Sequence, residues 1–159
     1  ITDAVQCLYK NGYLYPDIKP QNVLISHEGQ VQLCDYGHVA SLSAVVGSDL
    51  NVSGSADFIS PERLTGAKED CRSSLYSIGL LIHYIFTARK LFNAESTQET
   101  AEKHLSNNAA SLMKKELSHL PKNFIKLVER LTDSDRTLRL GSFPEFKGML
   151  RKQLTVTPH

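Results

Sequence analysis

Apolar residues follow two different spacings, which divide the chain into a first helix, a short β region and a longer helical remainder. Over Ile1–Lys10 an apolar residue recurs every three or four positions, which predicts a helix that Asn11-Gly12 ends. Val23–Ile25 and Val31–Cys34 are short, largely apolar runs on either side of a turn, and they predict two strands. The sequence therefore predicts a small β-hairpin soon after the first helix.

The remainder of the chain is predicted to be helical after one long loop. Residues 38–59 show no period and are rich in serine and glycine, which is typical of a loop. Ser73–Thr87 is apolar in most directions, as expected of a helix that is buried on most sides. Shorter helices are predicted over Pro61–Leu64, between Thr97 and Leu105, from Pro121 onwards and over Phe143–Leu150. The fold class that follows is mainly α with one small hairpin.

Composition excludes several classes of function. The 159 residues are enough for one domain with a core, and 41% hydrophobic residues argue against wholesale disorder. A formal net charge of +1 gives no reason to expect nucleic acid as a partner. The longest apolar run, Ile78–Phe86, is well short of the roughly 20 residues that cross a bilayer, so no membrane span is expected.

The cysteines and histidines show no pattern of their own. Cys7, Cys34 and Cys71 have neither metal-ligand spacing nor a disulfide framework, which fits a reducing compartment. Because the chain also shows no signal peptide, we expect an intracellular, cytoplasmic protein. None of the six histidines has a metal-ligating partner at helical spacing, so we interpret them as ordinary surface or core residues.

The stretch Tyr15–Asn22 carries an acid, a base and an amide within six positions, namely Asp17, Lys19 and Asn22. Two prolines flank the acid and make a helix there unfavourable, so the stretch is a shaped loop. The predicted hairpin that follows ends in Asp35 and can hold it near Asn22. Amide and carboxylate oxygens suit Mg²⁺ that also carries phosphate oxygens, and Lys19 could neutralise charge on a phosphoryl group in transfer.

Three short motifs resemble those of eukaryotic protein kinases. Residues 15–22 resemble the catalytic loop H-R-D-L-K-P-x-N, Asp35-Tyr36-Gly37 resembles D-F-G, and Ser60-Pro61-Glu62 resembles A-P-E. One such motif would be weak evidence, but three in this order and spacing are strong. The resemblance implies a protein-kinase-like C-terminal lobe, helical with a small hairpin that carries the catalytic and metal loops.

The resemblance also implies a role for each residue in these motifs. Asp17 would orient the substrate hydroxyl and accept its proton, and Lys19 would steady the transferred phosphate, as in serine/threonine kinases. Asn22 and Asp35 would hold Mg²⁺, and Gly37 would complete the nucleotide-binding set. The implied cofactors are ATP and Mg²⁺, and the implied substrate is a protein. The alternative is that these carboxylates are ordinary loop residues.

Two longer strings resemble the AGC group of serine/threonine kinases. Residues 54–62 resemble G-T-P-E-Y-L-A-P-E, so Ser55 would replace the threonine that bonds the catalytic aspartate and lysine. Residues 133–141 resemble D-P-x-x-R-L-G, so Arg139 would pair with Glu62 and join the activation segment to the helical core. The alternative for Arg139 is a solvated surface arginine, which contributes about 0–1 kcal/mol.

Three of the departures from the family pattern bear on how the site is regulated and supported. Pro16 replaces the arginine that pairs with a phosphate on the activation segment, and Asn51 stands where AGC kinases often carry the phosphorylated threonine. Our hypothesis is that this segment is not switched by that phosphorylation. Ser74 replaces the aspartate that ties the central helix to the catalytic loop, which predicts a weaker anchor there.

The resemblance assigns residues 1–152 to the C-terminal lobe of a kinase domain and residues 153–159 to a tail. The 159 residues contain no Gly-rich phosphate loop and no V-A-I-K strand lysine, and they begin with Ile1. We therefore expect a fragment that needs an N-terminal lobe or upstream domain and is inactive alone. The alternative is a pseudokinase or scaffold that binds protein partners without catalysis, which the three departures favour; retention of the metal and phosphate residues favours a kinase.

Overall fold

The computed structural model describes residues 1–43, 56–106 and 109–154. The helices are α1 (Thr2–Lys10), α2 (Pro61–Leu64), α3 (Cys71–Thr87), α4 (Thr97–Leu105), α5 (Ala109–Glu116), α6 (Lys122–Leu131) and α7 (Phe143–Leu154). The strands are β1 (Tyr13–Leu14), β2 (Val23–Ile25), β3 (Val31–Leu33) and β4 (Ala40–Ser41). The described part of the chain is thus mainly helical, as the sequence predicts, and none of its helices is long and apolar enough to cross a membrane.

The strands form two separate antiparallel pairs. β2 pairs with β3 in the predicted hairpin, with Val23 opposite Leu33. β1 pairs with β4, and neither of these strands was predicted from the sequence. Each has only two residues, too few for an alternating pattern to appear. The second pair nevertheless ties the chain after the hairpin back to the segment that leads into Tyr15.

Helix α3 begins at Cys71, two residues before the predicted start. The reason is its N-cap, because the Asp70 carboxylate accepts a hydrogen bond from Arg72 N at 2.8 Å. In turn, Asp70 N donates a longer and weaker hydrogen bond to Ser73 Oγ at 3.4 Å. A reciprocal pair of this kind satisfies backbone donors that the first turn leaves without partners.

The region between α3 and α6 contains one more helix than the sequence predicted. The prediction placed a single helix between Thr97 and Leu105, and α4 occupies those bounds. Helix α5 was missed, although Ala109, Met113 and Leu117 are all buried at a spacing of four. The last helix is also longer than predicted and continues to Leu154, into the predicted tail.

Helix α3 separates two clusters of buried apolar side chains. One side packs against α1, α6, α7 and the start of Tyr15–Asn22, which is called the catalytic stretch after the motif that it resembles. The larger members of this cluster include Tyr15, Leu75, Leu131, Leu140 and Phe146. The other side packs against α5, α6 and the loop after α3, and its larger members include Tyr76, Leu80, Phe92, Met113 and Val128. Burial on both sides explains why α3 is apolar in most directions.

At Gly79, α3 lies close against the end of α6 and the residue that follows it. A Cβ added there would lie 2.5 Å from Thr132 Cγ2 and 2.9 Å from Leu131 Cβ. We expect Gly79→Ala to lower the free energy of unfolding by about 1–3 kcal/mol, because the helices must move apart. Urea denaturation followed by circular dichroism measures this change.

Gly148 provides the matched control on another helix. A Cβ there would meet nothing within 4 Å, so Gly148→Ala should stabilise α7 by about 0.5–1 kcal/mol through helix propensity alone. Equal effects of the two alanines would contradict the packing assigned to Gly79.

Candidate active site

The catalytic stretch holds its acid, base and amide in direct contact. Lys19 Nζ lies 2.8 Å from Asp17 Oδ2, and Asn22 Nδ2 donates to the same oxygen at 2.7 Å. Asn22 Nδ2 also donates to the Asp17 backbone carbonyl at 2.9 Å. A single 3₁₀ turn over Pro20–Asn22 gives the chain the bend that brings Asn22 back to Asp17. The loop is therefore shaped by its own side chains.

The contacts leave one face of this loop open. Asn22 is buried, whereas the side chains of Lys19 and Asp17 are 22% and 26% exposed. Both contacts to the Asp17 carboxylate involve Oδ2, and no hydrogen bond to Oδ1 occurs among the described residues. The second carboxylate oxygen is thus free to bind another group.

Backbone and side-chain bonds join this loop to the end of β3. Cys34 N donates to Asn22 O at 3.0 Å, and the Tyr15 hydroxyl donates to the Cys34 carbonyl. Burial of Tyr15, followed by the charge of Asp17, raises the pKa of the tyrosine to about 12. The hydroxyl therefore stays protonated at neutral pH and keeps donating, which fixes Asp35 relative to the catalytic stretch.

Asp35 has a backbone conformation that few residues other than glycine adopt. Its φ of 59° and ψ of 74° lie in the left-handed region, and its Oδ1 accepts from Gly37 N at 3.3 Å. A Cβ added at Gly37 would itself lie 3.3 Å from Asp35 Oδ1 and would press on that carboxylate. Such backbone strain in an aspartate is characteristic of functional sites.

Asp35, Asp17 and His38 bring three possible ligand atoms together. One ligand atom from each residue lies within 4.8 Å of the others. The 3₁₀ turn over Tyr36–His38 places His38 beside Asp35, although the sequence analysis treated His38 as an ordinary residue. Its signal in the sequence was its position three residues after Asp35, a spacing that brings side chains together on a helical turn and that the sequence analysis overlooked.

A divalent cation fits this group of side chains. Lys19 pairs with Asp17, and Asp35 forms no ion pair among the described residues, so one carboxylate charge of this group is without a cationic partner there. Asn22 Nδ2 donates a hydrogen bond to Asp17, so the amide oxygen of Asn22 is the atom available to a cation. Of the two predicted metal residues, Asp35 lies in the cluster with Asp17 and His38, and Asn22 contacts Asp17.

Glu62 and Arg139 form a buried ion pair. Arg139 Nη1 lies 2.8 Å from Glu62 Oε1, and the two residues are 3% and 6% exposed, respectively. Arg139 also donates to the Asp133 and Ser134 carbonyls. A solvated surface arginine would not reach these acceptors. The alternative that Arg139 is a solvated surface residue is therefore wrong.

Two further residues complete the pair. The Ser73 hydroxyl donates to Glu62 Oε1 at 2.6 Å, and the Arg139 guanidinium lies 4.7 Å from the centre of the Tyr76 ring. Burial alone would raise the pKa of Glu62, but the hydrogen bond and charge of Arg139, with Ser73, lower it below its ordinary value. Glu62 is therefore ionised when the chain is folded at neutral pH.

The end of the long loop is attached to α3 through its backbone. Ser77 Oγ donates to Phe58 O at 2.7 Å, and Lys90 Nζ lies 2.7 Å from Asp57 Oδ2. These contacts hold the 3₁₀ turn over Ala56–Phe58, which leads into α2. Ser55, predicted to bond Asp17 and Lys19, lies outside the described residues, as does Asn51.

Ser74 leaves space under the catalytic stretch. It is buried, yet no hydrogen bond reaches its hydroxyl among the described residues. Beside it is a cavity of about 10 Å³ that Pro16 and Ser60 also line, and Ser60 Oγ is buried with no hydrogen-bond partner in the part of the chain that the structure describes. A volume near the roughly 10–15 Å³ that one water molecule needs suits a small polar gap. Ser74 thus makes no direct bond to the loop above it.

Comparison with known proteins gives one consistent result. Residues 1–153 match the family model for the protein kinase domain. A probable serine/threonine-protein kinase of Clostridium perfringens is 31% identical over 153 residues, which are 96% of this chain and 22% of that protein.

Two further relatives carry names of the same kind. The probable serine/threonine-protein kinase PknB of Bifidobacterium longum is 31% identical over 150 residues, which are 92% of this chain and 22% of that protein. The serine/threonine-protein kinase PrkC of Bacillus subtilis is 33% identical over 112 residues, which are 70% of this chain and 17% of that protein. The chain spans about a fifth of the length of these curated relatives.

Proposed function

Because this chain belongs to the protein kinase domain family, we propose that it is the lobe carrying the catalytic loop of an ATP-dependent protein serine/threonine kinase. The observation that carries the proposal is the contact of Asp17 with both Lys19 and Asn22, next to the strained Asp35. A carboxylate with one free oxygen, a lysine and a cation site are what phosphoryl transfer requires.

The names of the relatives support the same substrate class. The proteins from C. perfringens, B. longum and B. subtilis are all named serine/threonine-protein kinases. Lys19, two residues after Asp17, agrees with serine/threonine specificity by the resemblance described above. Membership of the AGC group, which the strings at residues 54–62 and 133–141 suggest, remains a proposal.

In the proposed reaction each residue acts through a particular atom. Asp17 Oδ1, which has no partner among the described residues, would orient the substrate hydroxyl and accept its proton. Lys19 would neutralise charge on the phosphoryl group, and its contact with Asp17 keeps the ammonium at the site before substrate binds. Gly37 would keep the space beside Asp35 clear.

Asn22 and Asp35 would hold Mg²⁺ in this proposal. The amide oxygen of Asn22 and the carboxylate of Asp35 are oxygen donors, the type that Mg²⁺ prefers. When bound, the cation would supply positive charge to the phosphate oxygens of ATP. The bonds from Asn22 Nδ2 to Asp17 orient the amide for this role.

The hairpin presents an apolar surface that an N-terminal lobe would fit. Leu24, Ile25, Val31 and Tyr36 are between 46% and 70% exposed on the hairpin and the turn that follows it. Exposed apolar residues grouped in this way are characteristic of a surface that another unit covers. We therefore propose that an N-terminal lobe or upstream domain covers the hairpin and completes the nucleotide site.

A scaffold without catalysis is the second candidate. The observation that favours it is Ser74, whose hydroxyl makes no hydrogen bond to the catalytic stretch, together with the small cavity beside Pro16. A catalytic loop supported in this way is less constrained than one bonded to an aspartate. Such a protein would still bind partners through the exposed hairpin.

Transfer of labelled phosphate decides between the two candidates. The natural-length protein, incubated with γ-labelled ATP, Mg²⁺ and a serine-rich protein substrate, is expected to label serine or threonine. The 159-residue chain alone is expected to give no more label than a blank with metal and no protein, because half of the nucleotide site is absent. Turnover by the isolated chain, or none by the natural-length protein, would contradict the proposal.

A further inference from the structure

We propose that one buried water molecule binds between Ser60 and Ser74 and links α3 and the N-terminus of α2 to the catalytic stretch at Pro16. The family pattern has an aspartate at position 74 that ties the central helix to the loop directly, and it assigns no water to this place. The inference deepens the proposed function, because the link positions the loop that carries Asp17. The water and its effect on the loop can nevertheless be measured without phosphotransfer.

The cavity beside Ser74 lies where three parts of the chain meet. It is lined by Leu14–Pro16, which lead into the catalytic stretch, by residues in and beside α2, and by three serines of α3. Its volume of about 10 Å³ is close to the roughly 10–15 Å³ that one water molecule needs. A single water there is therefore within reach of all three parts.

Two buried hydroxyl groups at this cavity have no other described bond. Ser60 is 2% exposed, and its Oγ is buried with no hydrogen-bond partner among the described residues. Ser74 is 4% exposed, and no hydrogen bond of its hydroxyl occurs among the described residues. A buried hydroxyl without a partner loses the hydrogen bonds that it makes to solvent in the unfolded chain, so such groups are rare. One water between the two serines satisfies both.

The two other serines of α3 at this cavity already have partners. Ser73 Oγ donates to Glu62 Oε1 at 2.6 Å, and Ser77 Oγ donates to Phe58 O at 2.7 Å. Each hydroxyl has one proton to donate, and both protons are used in these bonds. The unpartnered hydroxyls are thus those of Ser60 and Ser74, one on each side of the junction between α2 and α3.

Two acceptors complete the surroundings of the water. Glu69 lines the cavity and is 8% exposed, and its ion pair with Arg63 is long at 3.5 Å, so its carboxylate can accept a further bond. Pro16 has no N–H, so only its carbonyl can take part in a hydrogen bond, and a water can donate to it. With the two serines these groups supply the two to four partners that a buried water has.

The first test counts long-lived water molecules in the 159-residue chain by oxygen-17 magnetic relaxation dispersion. Ser60→Ala combined with Ser74→Ala removes both hydroxyls, and one water fewer is expected, because cavities without polar partners stay dry. Ser111→Ala combined with Ser118→Ala is the matched control, since it removes two exposed hydroxyls and should leave the count unchanged. Circular dichroism checks that the helices remain, and Ser74→Ala alone replaces the double variant if they do not.

The second test measures support of the catalytic stretch. Amide hydrogen exchange at Ile18 and Asn22 is expected to be about 5-fold faster in the serine double variant, the effect of losing one hydrogen bond of average strength. In the natural-length protein kcat should fall by at least the same factor, with an unchanged KM for ATP, because the water positions the loop and does not contact nucleotide. Ser74→Asp in the Ser60→Ala background should restore kcat, since its carboxylate can bond to the loop directly.

The outcomes separate this inference from the proposed function. An equal number of long-lived waters in the serine double variant and the unmodified chain, or equal exchange at Ile18 and Asn22, would overturn the inference and leave phosphotransfer by the natural-length protein untouched. One water fewer together with faster exchange, in a protein that transfers no phosphate, would support the water link and refute the kinase.

Discussion

Asp17→Asn is expected to lower phosphotransfer by the natural-length protein by about 10²–10⁴-fold, the range that general acid–base catalysis contributes. An amide keeps the size of the side chain but cannot accept the proton of the substrate hydroxyl at Oδ1. It also loses the charge that attracts Lys19 Nζ at 2.8 Å. Initial rates with γ-labelled ATP at saturating Mg²⁺ measure the change.

Glu28→Gln is the matched control for that substitution. Glu28 is an exposed carboxylate in the turn of the same hairpin, and only its backbone N–H makes a described hydrogen bond. Its amide variant removes one negative charge close in sequence to the site and should leave the rate unchanged. A scaffold would keep its partners in both variants, and equal rates for Asp17→Asn and the unmodified protein would remove Asp17 from the mechanism.

Arg139→Ala is expected to lower the free energy of unfolding by about 3–5 kcal/mol, the cost of leaving a buried charge without its partner. Glu62 is 6% exposed, and of the side-chain bonds described for its carboxylate only that from the Ser73 hydroxyl remains when Arg139 is removed. The alanine also leaves a space beside the Tyr76 ring. Equilibrium unfolding in urea at pH 7 measures the loss.

Arg130→Ala is the control for a surface pair. Arg130 Nη2 lies 3.0 Å from Glu145 Oε1, but both side chains are more than a third exposed, so the expected cost is about 0–1 kcal/mol. Replacing both Glu62 with leucine and Arg139 with methionine should cost less than Arg139→Ala alone, because no charge stays buried. A double variant at least as damaging as Arg139→Ala would show that the charges are not the cause.

The effect of Arg139→Ala depends on pH in a defined direction. The folded-state pKa of Glu62 is lowered, so the stability from the pair is complete above the ordinary carboxyl pKa of roughly 4.3. It is lost as the pH falls through the lower folded-state pKa. In Arg139→Ala no arginine lies beside Glu62, so burial raises the pKa of its carboxyl. Protonation then removes the buried charge and the loss of folding free energy that it causes. The difference between the two proteins should therefore shrink from pH 7 to pH 4.

The catalytic stretch was predictable because its contacts are local. Asp17, Lys19 and Asn22 lie within six positions, and the prolines restrict the loop so strongly that few arrangements remain. The Glu62–Arg139 contact could be anticipated only by resemblance, because nothing in composition or spacing joins residues so distant in sequence. The roles of all these residues in catalysis remain predictions.

The errors in the fold have local physical causes. Helix α5 lies in a polar region. Its apolar positions, Ala109, Met113 and Leu117, are few and one of them is small, so their spacing did not distinguish a helix from a loop. Strand β4 forms because it pairs with β1. A strand of two residues shows no alternating pattern from which this pairing could be predicted. The start of α3 was misplaced because Asp70 was not recognised as its cap.

His38 shows what a search by spacing alone cannot find. A 3₁₀ turn following a left-handed aspartate brings position 38 back toward Asp17, which is far away in sequence. The left-handed conformation of Asp35 cannot be read from its residue type, since aspartate adopts it more often than most residues but still only in a small fraction of cases. Only the folded chain reveals that one possible ligand atom from each of these three residues lies within 4.8 Å of the others.

The buried ion pair also has a consequence for the lifetime of the fold. Glu62 and Arg139 are 77 positions apart, and closing so long a loop costs entropy before any contact forms. We predict that this contact forms after the folding transition state, so that Arg139→Ala speeds unfolding and changes the folding rate little. Arg139 would then act mainly on the rate at which the end of the loop that carries Ser60 leaves the helical core.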